Sequence, residues 1–370
     1  MVGPPTRCPT AATTRQRARR SPPRSTRCSV CSCKGTRVAH HQADLVLSGG
    51  GVKGIGLVGA AAALVEAGYR PRRISGTSAG ALVGAVLAAA TRSGALSVTQ
   101  LTELAMGLDY REFLDPGPVE RLPLIGPAWG ALSGGGIYRG DALRRWVADR
   151  LAEFGVTTFA DLALDDPTLP PEQRYRLVVT VADVTLGQLV RLPWDYQRIY
   201  GLDPDEQSIA DAVRASTAIP FFYRPEELTS ADGRTSRLVD GGLLSNFPID
   251  SLDRTDGESP RWPTFGITLL PDLPAENAAV IPALHPLHVF GPTLLEQVVT
   301  TILVGRDQAH LNQPWVSART VRVDTSSVGV LNFDLSEQDK RSLYGKGWEA
   351  AEEFLTSWDW DDYLSRFRQR

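Results

Sequence analysis

The chain has 370 residues, of which 42% are hydrophobic and 22% are charged. These fractions are typical of a globular protein and exclude global disorder, a collagen-like repeat and a coiled coil. The formal net charge is −3, but residues 1–43 contain nine Arg and Lys and no acidic residue. Residues 44–370 therefore carry 30 basic and 42 acidic side chains. This balance argues against nucleic acid as a partner, because phosphate neutralisation needs a basic surface.

Residues 1–43 are rich in Pro, Ser, Thr and Arg and have no periodic apolar face. We expect a disordered basic tail, or a misassigned start codon, and the segment lacks the apolar stretch of a secretory signal peptide. The tail contains every cysteine of the chain, and three of them stand near two histidines in a cluster of zinc-ligand types: Cys28, Cys31, Cys33, His40 and His41. Since no second pair of ligands follows at zinc-finger spacing, we predict no metal site.

A βαβα pattern opens the rest of the chain. It predicts a strand at Asp44–Ser48, a helix at Ile55–Ala67, a short strand at Arg73–Ser75 and a helix at about Ala79–Thr91. Strands that alternate with helices favour a parallel sheet with right-handed crossovers. The longest apolar stretch, Ala79–Ala90, is about a dozen residues long, fewer than the ~20 that cross a bilayer, so no transmembrane helix is predicted.

The later elements are less regular. Val98–Leu108 is predicted to be a helix, and Arg111–Gly136 is a long loop with prolines and glycines, a candidate mobile lid. The remaining predictions are a helix from Gly140 or Asp141 to about Phe154, strands at Arg174–Val181 and Gln188–Leu192, a helix at Ile209–Ser216, strands at Arg237–Val239 and Phe265–Leu270, and helices at Pro292–Leu311 and Ser336–Leu355. We interpret residues 44–370 as one α/β domain.

The first candidate site is the loop after the first strand, Gly49-Gly50-Gly51-Val52-Lys53-Gly54. Glycines leave backbone N–H groups unobstructed at a helix N-terminus, where a phosphate or an oxyanion is stabilised. The loop also satisfies the dinucleotide signature G-x-G-x-x-G, but no acidic residue ends the second strand to bind a ribose. It lacks the Gly-Lys-Ser/Thr ending of a phosphate-binding P-loop as well. A tight turn without function is the alternative interpretation.

The second candidate site, Gly76-Thr77-Ser78-Ala79-Gly80, matches the nucleophile elbow G-x-S-x-G. In an elbow the chain turns so sharply between a strand and a helix that the serine hydroxyl projects from the sheet, and its neighbours must be small. The predicted strand before this motif and the predicted helix after it are the context that an elbow requires. The sequence therefore makes Ser78 a candidate nucleophile, with the Ala79 N–H able to stabilise negative charge nearby.

The third candidate site is Asp240-Gly241-Gly242, at the end of a predicted strand. Asp-Gly is a common turn dipeptide, so a structural role is the alternative. A carboxylate of ordinary pKa, near 4, is a weak base at neutral pH, and desolvation would have to raise that pKa before Asp240 could act as a general base. The two glycines would let another group approach closely.

Together, these motifs resemble the hallmarks of the patatin-like phospholipases, G-G-G-x-[RK]-G, G-x-S-x-G and a downstream D-G-[GA]. Residues 215–220, ASTAIP, and residues 240–248, DGGLLSNFP, also resemble segments of that family. The resemblance covers about residues 44–250, whereas the C-terminal extension, residues 251–370, matches no pattern. It implies a three-layer α/β/α fold with a mostly parallel central sheet.

The resemblance further implies a serine lipid acyl hydrolase that uses no cofactor and no catalytic metal. Ser78 is expected to attack a lipid ester, Asp240 to act as the base, and the N–H groups of Gly50–Val52 to form an oxyanion hole. Lys53 occupies the family's basic position, where it either orients the loop or is simply solvated. We expect peripheral membrane contact and a location in the cytoplasm or at a membrane surface.

Two other functions stay open at this point. A Ser-His-Asp hydrolase would combine Ser78 and Asp240 with one of three histidines, His285, His288 or His310. The second alternative is a catalytically silent lipid-binding module. Apolar side chains in predicted loops are candidates for an acyl pocket or its cap, with ordinary packing as the alternative: Trp129, Ile137, Tyr138, Trp194, Tyr196, Phe221, Phe222 and Tyr223.

Overall fold

The computed structural model describes residues 41–94, 96–117, 135–270 and 308–368. The predicted features that lie outside these ranges are the basic tail up to residue 40 with its cysteines, most of the candidate lid, most of the predicted helix Pro292–Leu311, and the side chains of Trp129, His285 and His288.

The described strands form one sheet: β1 His41–Leu47, β2 Tyr69–Thr77, β3 Leu177–Asp183, β4 Gln188–Leu192, β5 Glu226–Thr229, β6 Thr235–Asp240, β7 Thr264–Leu270 and β8 Thr320–Asp324. Their order is β5-β6-β3-β2-β1-β7-β8, and β4 also pairs with β3. Strands β8, β7, β1, β2 and β3 run parallel, whereas β4, β5 and β6 pair antiparallel. The parallel strands bring their carboxyl ends to one edge, where the loops after β1 and β2 meet.

The described helices are α1 Ile55–Glu66, α2 Ala79–Ser93, α3 Val98–Gly107, α4 Asp141–Ala152, α5 Ile209–Ser216, α6 Gln308–Leu311, α7 Pro314–Ser317, α8 Glu337–Ser357 and α9 Trp360–Phe367. Short 3₁₀ turns include Gly51–Gly54, Tyr110–Phe113 and Gly241–Leu243. Within the described ranges, every helix is too short or too polar to cross a membrane.

Alternate residues of the central strands face two separate cores. On β1, Leu45 and Leu47 pack into the main core with α1 and α2, whereas Val46 packs with Phe247 and Val316 on the opposite face. Because both faces are covered, these strands are continuous apolar runs, which is the pattern that the sequence shows.

The structure confirms the α/β class with a mostly parallel central sheet, and it corrects several boundaries. β1 begins at His41 rather than Asp44, because His41–Ala43 pair with the first residues of β2. That pairing also lengthens β2 beyond the predicted Arg73–Ser75. Strands β5 and β8 were not predicted, since short strands are specified largely by their distant partners. Helices α7 and α9 were not predicted either, although α9 carries a local signal, the Asp359 side chain that accepts a hydrogen bond from the Asp362 N–H.

The described residues after 253 belong to the same sheet and the same core. β7 and β8 extend the sheet beside β1, and α8 packs along α1. Two glycines permit this close approach, because Gly347 lies against the backbone of Gly56, and Gly59 lies against the backbone of Tyr344. The described part of the C-terminal extension is therefore an integral part of the fold.

Gly347→Ala is expected to destabilise the protein by about 1–3 kcal/mol, since the new Cβ would overlap the Gly56 carbonyl in a packed helix contact. Gly345→Ala is the matched control on the same helix. Nothing lies within 4 Å of its Cβ position, so this substitution should stabilise the helix by about 0.5–1 kcal/mol. Urea-induced unfolding measures both effects, and equal free energies for the two variants would contradict the close contact.

Candidate active site

Ser78 is the single residue between the end of β2 at Thr77 and the start of α2 at Ala79. Its backbone has φ 53° and ψ −122°, a conformation that L-residues adopt at a cost. Glycines make the turn possible, since a Cβ at Gly76 would overlap the Gly80 carbonyl, and one at Gly80 would overlap the Leu47 carbonyl. The turn has the sharp strand-to-helix shape that the motif predicts.

The sheet brings Ser78 and Asp240 together although 162 residues separate them in the chain. Thr77 on β2 is paired with Thr180 on β3, and the next residue of β3, Val181, is paired with Asp240 on β6. The Ser78 hydroxyl donates a hydrogen bond of 2.6 Å to Oδ2 of Asp240. The other carboxylate oxygen accepts a bond of 2.8 Å from the Gly242 N–H.

Burial changes the acid–base properties of this carboxylate. Asp240 is 1% exposed, and desolvation raises its pKa from 3.8 to about 7, although the bonds from Ser78 and Gly242 act in the opposite direction. The charged form loses more from burial than it gains from two hydrogen bonds. Asp240 can therefore accept a proton near neutral pH, which an exposed aspartate does poorly.

Ser216 supports the elbow from a neighbouring helix. Its hydroxyl accepts a hydrogen bond of 2.9 Å from the Ser78 N–H and donates one of 2.7 Å to the Thr180 carbonyl. Next to it, the Ala218 carbonyl accepts a bond of 2.9 Å from the Asp240 N–H. The resemblance to a family motif singles out residues 215–220, but the sequence carries no signal for this contact between a side chain and a distant backbone.

The glycine loop presents fewer available N–H groups than its sequence implies. The Gly49 N–H donates to the Asn246 carbonyl, the Val52 N–H to the Val330 carbonyl and the Lys53 N–H to the Gly50 carbonyl. Val52 is thus not available as an oxyanion donor in this conformation, in contrast to the expectation. Within the described part of the chain, neither the Gly50 nor the Gly51 N–H is used in a hydrogen bond.

The Lys53 side chain is buried, with 3% exposed, so it is not the solvated side chain that the sequence left as an alternative. It lies close enough to β8 to affect Asp324, whose pKa is lowered mainly by hydrogen bonds from Ser326 and also by Lys346 and Lys53. Gly54, the last residue of the loop, packs against the Ala79 methyl group at the start of α2. The loop is therefore bonded to the Val330 carbonyl on one side and packs against the elbow on the other.

A small apolar cavity of about 50 Å³ lies beside Ser78. Side chains of α2, α4 and two turns line it: Leu82, Val83, Tyr110, Phe113, Leu143 and Phe333. Of the described aromatic residues predicted for an acyl pocket, Tyr223 lines the cavity, whereas Phe222 and Tyr196 are buried in the core. Tyr110, Phe113 and Phe333 were missed, because nothing in a single sequence indicates which aromatic side chains face a distant serine.

The described residues give little support to a Ser-His-Asp triad. The Ser78 hydroxyl meets the carboxylate directly, and the partners that shift the pKa of Asp240 are Ser78 and Gly242. His310 lies against the ring of Trp315 instead, with centroids 5.4 Å apart. His41, a candidate zinc ligand, lies in β1 next to Tyr69. Across the residues that the structure describes, no three His, Cys, Asp or Glu side chains are grouped to hold a metal ion.

Comparison with known proteins shows what the chain is similar to. Residues 45–253 match the family described as Patatin-like phospholipase. The uncharacterized protein YqhO of Bacillus subtilis is 34% identical over 322 residues, which cover 85% of this chain and 98% of that protein. The uncharacterized NTE family protein MT2641 of Mycobacterium tuberculosis is 27% identical over 307 residues, which cover 80% of this chain and 44% of that protein.

Among solved structures, the crystal structure of VipD from Legionella pneumophila has a TM-score of 0.46 and 20% identity, and covers 86% of this chain and 67% of that chain. The family assignment depends on the sequence matches instead. The family match spans more than half of the chain, and YqhO aligns along nearly its whole length. The chain therefore belongs to the patatin-like phospholipase family.

Proposed function

We propose that this protein is a serine acyl hydrolase that cleaves carboxylic ester bonds of lipids. Membership in the patatin-like phospholipase family supports a lipid ester as the substrate. The observation that carries the proposal is the 2.6 Å hydrogen bond from Ser78, which lines an apolar cavity, to the buried carboxylate of Asp240. A hydroxyl and a base in hydrogen-bond contact are the minimum that nucleophilic catalysis by serine requires.

In the first half of the reaction, Oγ of Ser78 attacks the ester carbonyl carbon while its proton passes to Oδ2 of Asp240. The tetrahedral intermediate collapses, the bond to the leaving alcohol breaks, and the alcohol oxygen takes the proton from Asp240. The products of this half are a free alcohol and an acyl group esterified to Ser78. Asp240 is again a carboxylate.

In the second half, a water molecule attacks the acyl carbonyl and gives its proton to Asp240. The bond between the acyl carbon and Oγ of Ser78 breaks, and Oγ recovers the proton. A fatty acid leaves, and both side chains return to their starting state. Asp240 thus serves as base and then as acid in each half, which suits a group whose pKa is about 7.

The N–H groups of Gly50 and Gly51 are the proposed donors to the oxyanion that develops in both halves. They lie in the loop whose first glycine, Gly49, approaches the Ser78 side chain. They also stand at the start of the 3₁₀ turn that leads into α1, where aligned peptide dipoles favour negative charge. Fixed donors of this type stabilise the transition state without reorganisation.

The activity test measures hydrolysis of phospholipid, lysophospholipid, triacylglycerol and short p-nitrophenyl ester substrates. The wild-type protein should cleave at least one lipid class. Ser78→Ala should abolish turnover, and Asp240→Asn should lower kcat by about 10²–10⁴-fold, the usual contribution of a general base. The two variants remove the nucleophile and the base separately, so both losses are expected on the same substrate.

A fluorophosphonate probe should label the wild-type protein and not Ser78→Ala. A folded wild-type protein that hydrolyses no substrate and takes up no label would instead indicate the silent lipid-binding module. Combined alanine substitution of the three candidate histidines, His285, His288 and His310, should leave activity in place. Loss of activity in that folded triple variant would indicate a Ser-His-Asp triad.

The pH dependence of kcat/KM should report the carboxylate of Asp240. Because the base must be deprotonated and burial raises its pKa to about 7, kcat/KM is expected to fall as the pH decreases below about 7 and to level off above it. Steady-state rates on a soluble ester between about pH 5 and pH 9 measure this profile. Full activity down to about pH 5 would contradict an assignment of Asp240 as the base.

The raised pKa of Asp240 also predicts that this carboxylate makes the folded protein less stable at high pH than at low pH. The unfolded chain releases the Asp240 proton near pH 3.8, whereas the folded chain holds it until about 7, so this group's contribution to stability decreases as the pH rises through that window. Asp240→Asn removes the buried charge. The variant should therefore melt at a higher temperature than the wild type at about pH 8, and the difference should shrink at about pH 5. An equal difference at both pH values would contradict the raised pKa.

A further inference from the structure

A groove of about 510 Å³ lies between α2, α3 and α4, next to the small cavity beside Ser78. The cavity of about 50 Å³ is far smaller than the ~300–1,000 Å³ of the pockets that usually enclose a drug-sized ligand. A long acyl chain with its ester at Ser78 cannot fit there without additional space. The groove is the nearest described space along the same helices.

One face of α2 lines both spaces in succession. Leu82 and Val83 line the cavity, and Val86 and Ala90 line the groove. Residues three, four and seven apart on a helix share a face, so the two spaces follow one continuous apolar stripe. From Ala79 to Ser93 this helix is about 21 Å long at 1.5 Å per residue, a length comparable with that of a long-chain acyl group.

Two further chain segments also line the cavity with one part and the groove with the next. On α4, Leu143 lines the cavity and Trp146 lines the groove one turn later. On the third side, the turn Tyr110–Phe113 lines the cavity, and the preceding helix α3 lines the groove with Leu101 and Leu104. Three independent walls thus continue from one space into the other.

Two aromatic rings stand between the spaces. Phe113 lines the cavity and Trp146 lines the groove, and their rings meet edge to face with centroids 5.9 Å apart. Phe113 is buried, with 2% exposed, whereas Trp146 is partly exposed. Arg150 and Glu153 form an ion pair of 2.8 Å at the far end of the groove. Three more polar side chains share its lining with the apolar ones: Ser93, Gln100 and Glu103.

We propose that the groove between α2, α3 and α4 binds the distal part of a long acyl chain whose ester lies at Ser78, and that Phe113 and Trp146 form the gate between them. This inference rests on the proposed lipid acyl hydrolase activity. Rotation of the two rings joins the cavity to the groove, and the resulting channel selects long acyl chains over short ones. Trp146 and Leu104 are then specificity-determining residues.

The test compares kcat/KM for p-nitrophenyl palmitate with kcat/KM for p-nitrophenyl butyrate. Trp146→Ala opens the gate and should raise the palmitate-to-butyrate ratio about tenfold, since one methylene alone in an apolar pocket is worth about 10-fold or more. Leu104→Trp fills the groove and should lower the ratio by a similar factor. Leu104 is partly exposed, so the larger ring can be accommodated without disturbing the core.

Trp348→Ala is the matched control. Trp348 is a partly buried tryptophan packed against the same core, but it lines neither space, so its loss should not change the ratio. Near-ultraviolet circular dichroism confirms that each variant is folded, and Trp146→Phe replaces Trp146→Ala if the latter is not. Folded Trp146 and Leu104 variants with the wild-type ratio would overturn the proposal.

A binding measurement separates this inference from the proposed activity. Ser78→Ala protein should bind palmitate, measured by isothermal titration calorimetry, and the double variant Ser78→Ala, Leu104→Trp should bind it at least about tenfold more weakly. If no ester is hydrolysed but this difference in binding is found, the proposed activity fails and the groove assignment holds. Equal binding of palmitate by the two proteins would overturn the groove assignment, whatever the activity.

Discussion

The burial of one carboxylate at the end of β6 is the constraint on which the rest of the site depends. Asp240 is almost inaccessible to water, and the groups that compensate its charge are the Ser78 hydroxyl and a single backbone N–H. This compensation is incomplete, so its pKa lies far above the ordinary value. Incomplete compensation destabilises the charged form of Asp240 in the folded protein. For the same reason, the carboxylate is a stronger base than an exposed aspartate.

Backbone strain is the second element of this arrangement. Ser78 holds a conformation with positive φ that is unfavourable for a residue with a side chain, and it is kept there by β2, by α2 and by the hydroxyl of Ser216. Gly76 and Gly80 lie so close to neighbouring carbonyl groups that a side chain at either position would overlap them. Strain and charge burial are thus concentrated in one place and supported by a well-packed core, as is usual for functional sites.

The part of the chain beyond the family match contributes to the site as well. The Val330 carbonyl accepts a hydrogen bond from the Val52 N–H, and Phe333 lines the cavity beside Ser78. Helix α8 packs against α1, which begins directly after the glycine loop. The C-terminal extension therefore occupies one N–H group of the loop, that of Val52, and supplies one side chain of the cavity wall.

The sequence alone determined the α/β class, the order of the first strands and helices and the three motifs, because glycine turns and apolar runs are local properties of the chain. It also indicated Ser78 and Asp240 as the pair to consider. Only the tertiary structure decided that a hydrogen bond joins these two side chains and that the Ser216 hydroxyl accepts one from the Ser78 N–H. It also decided that the Val52 N–H is already hydrogen-bonded and that the rings of Phe113 and Trp146 are in contact. These contacts join residues far apart in the chain, so they depend on strand order and helix packing, which no local pattern encodes.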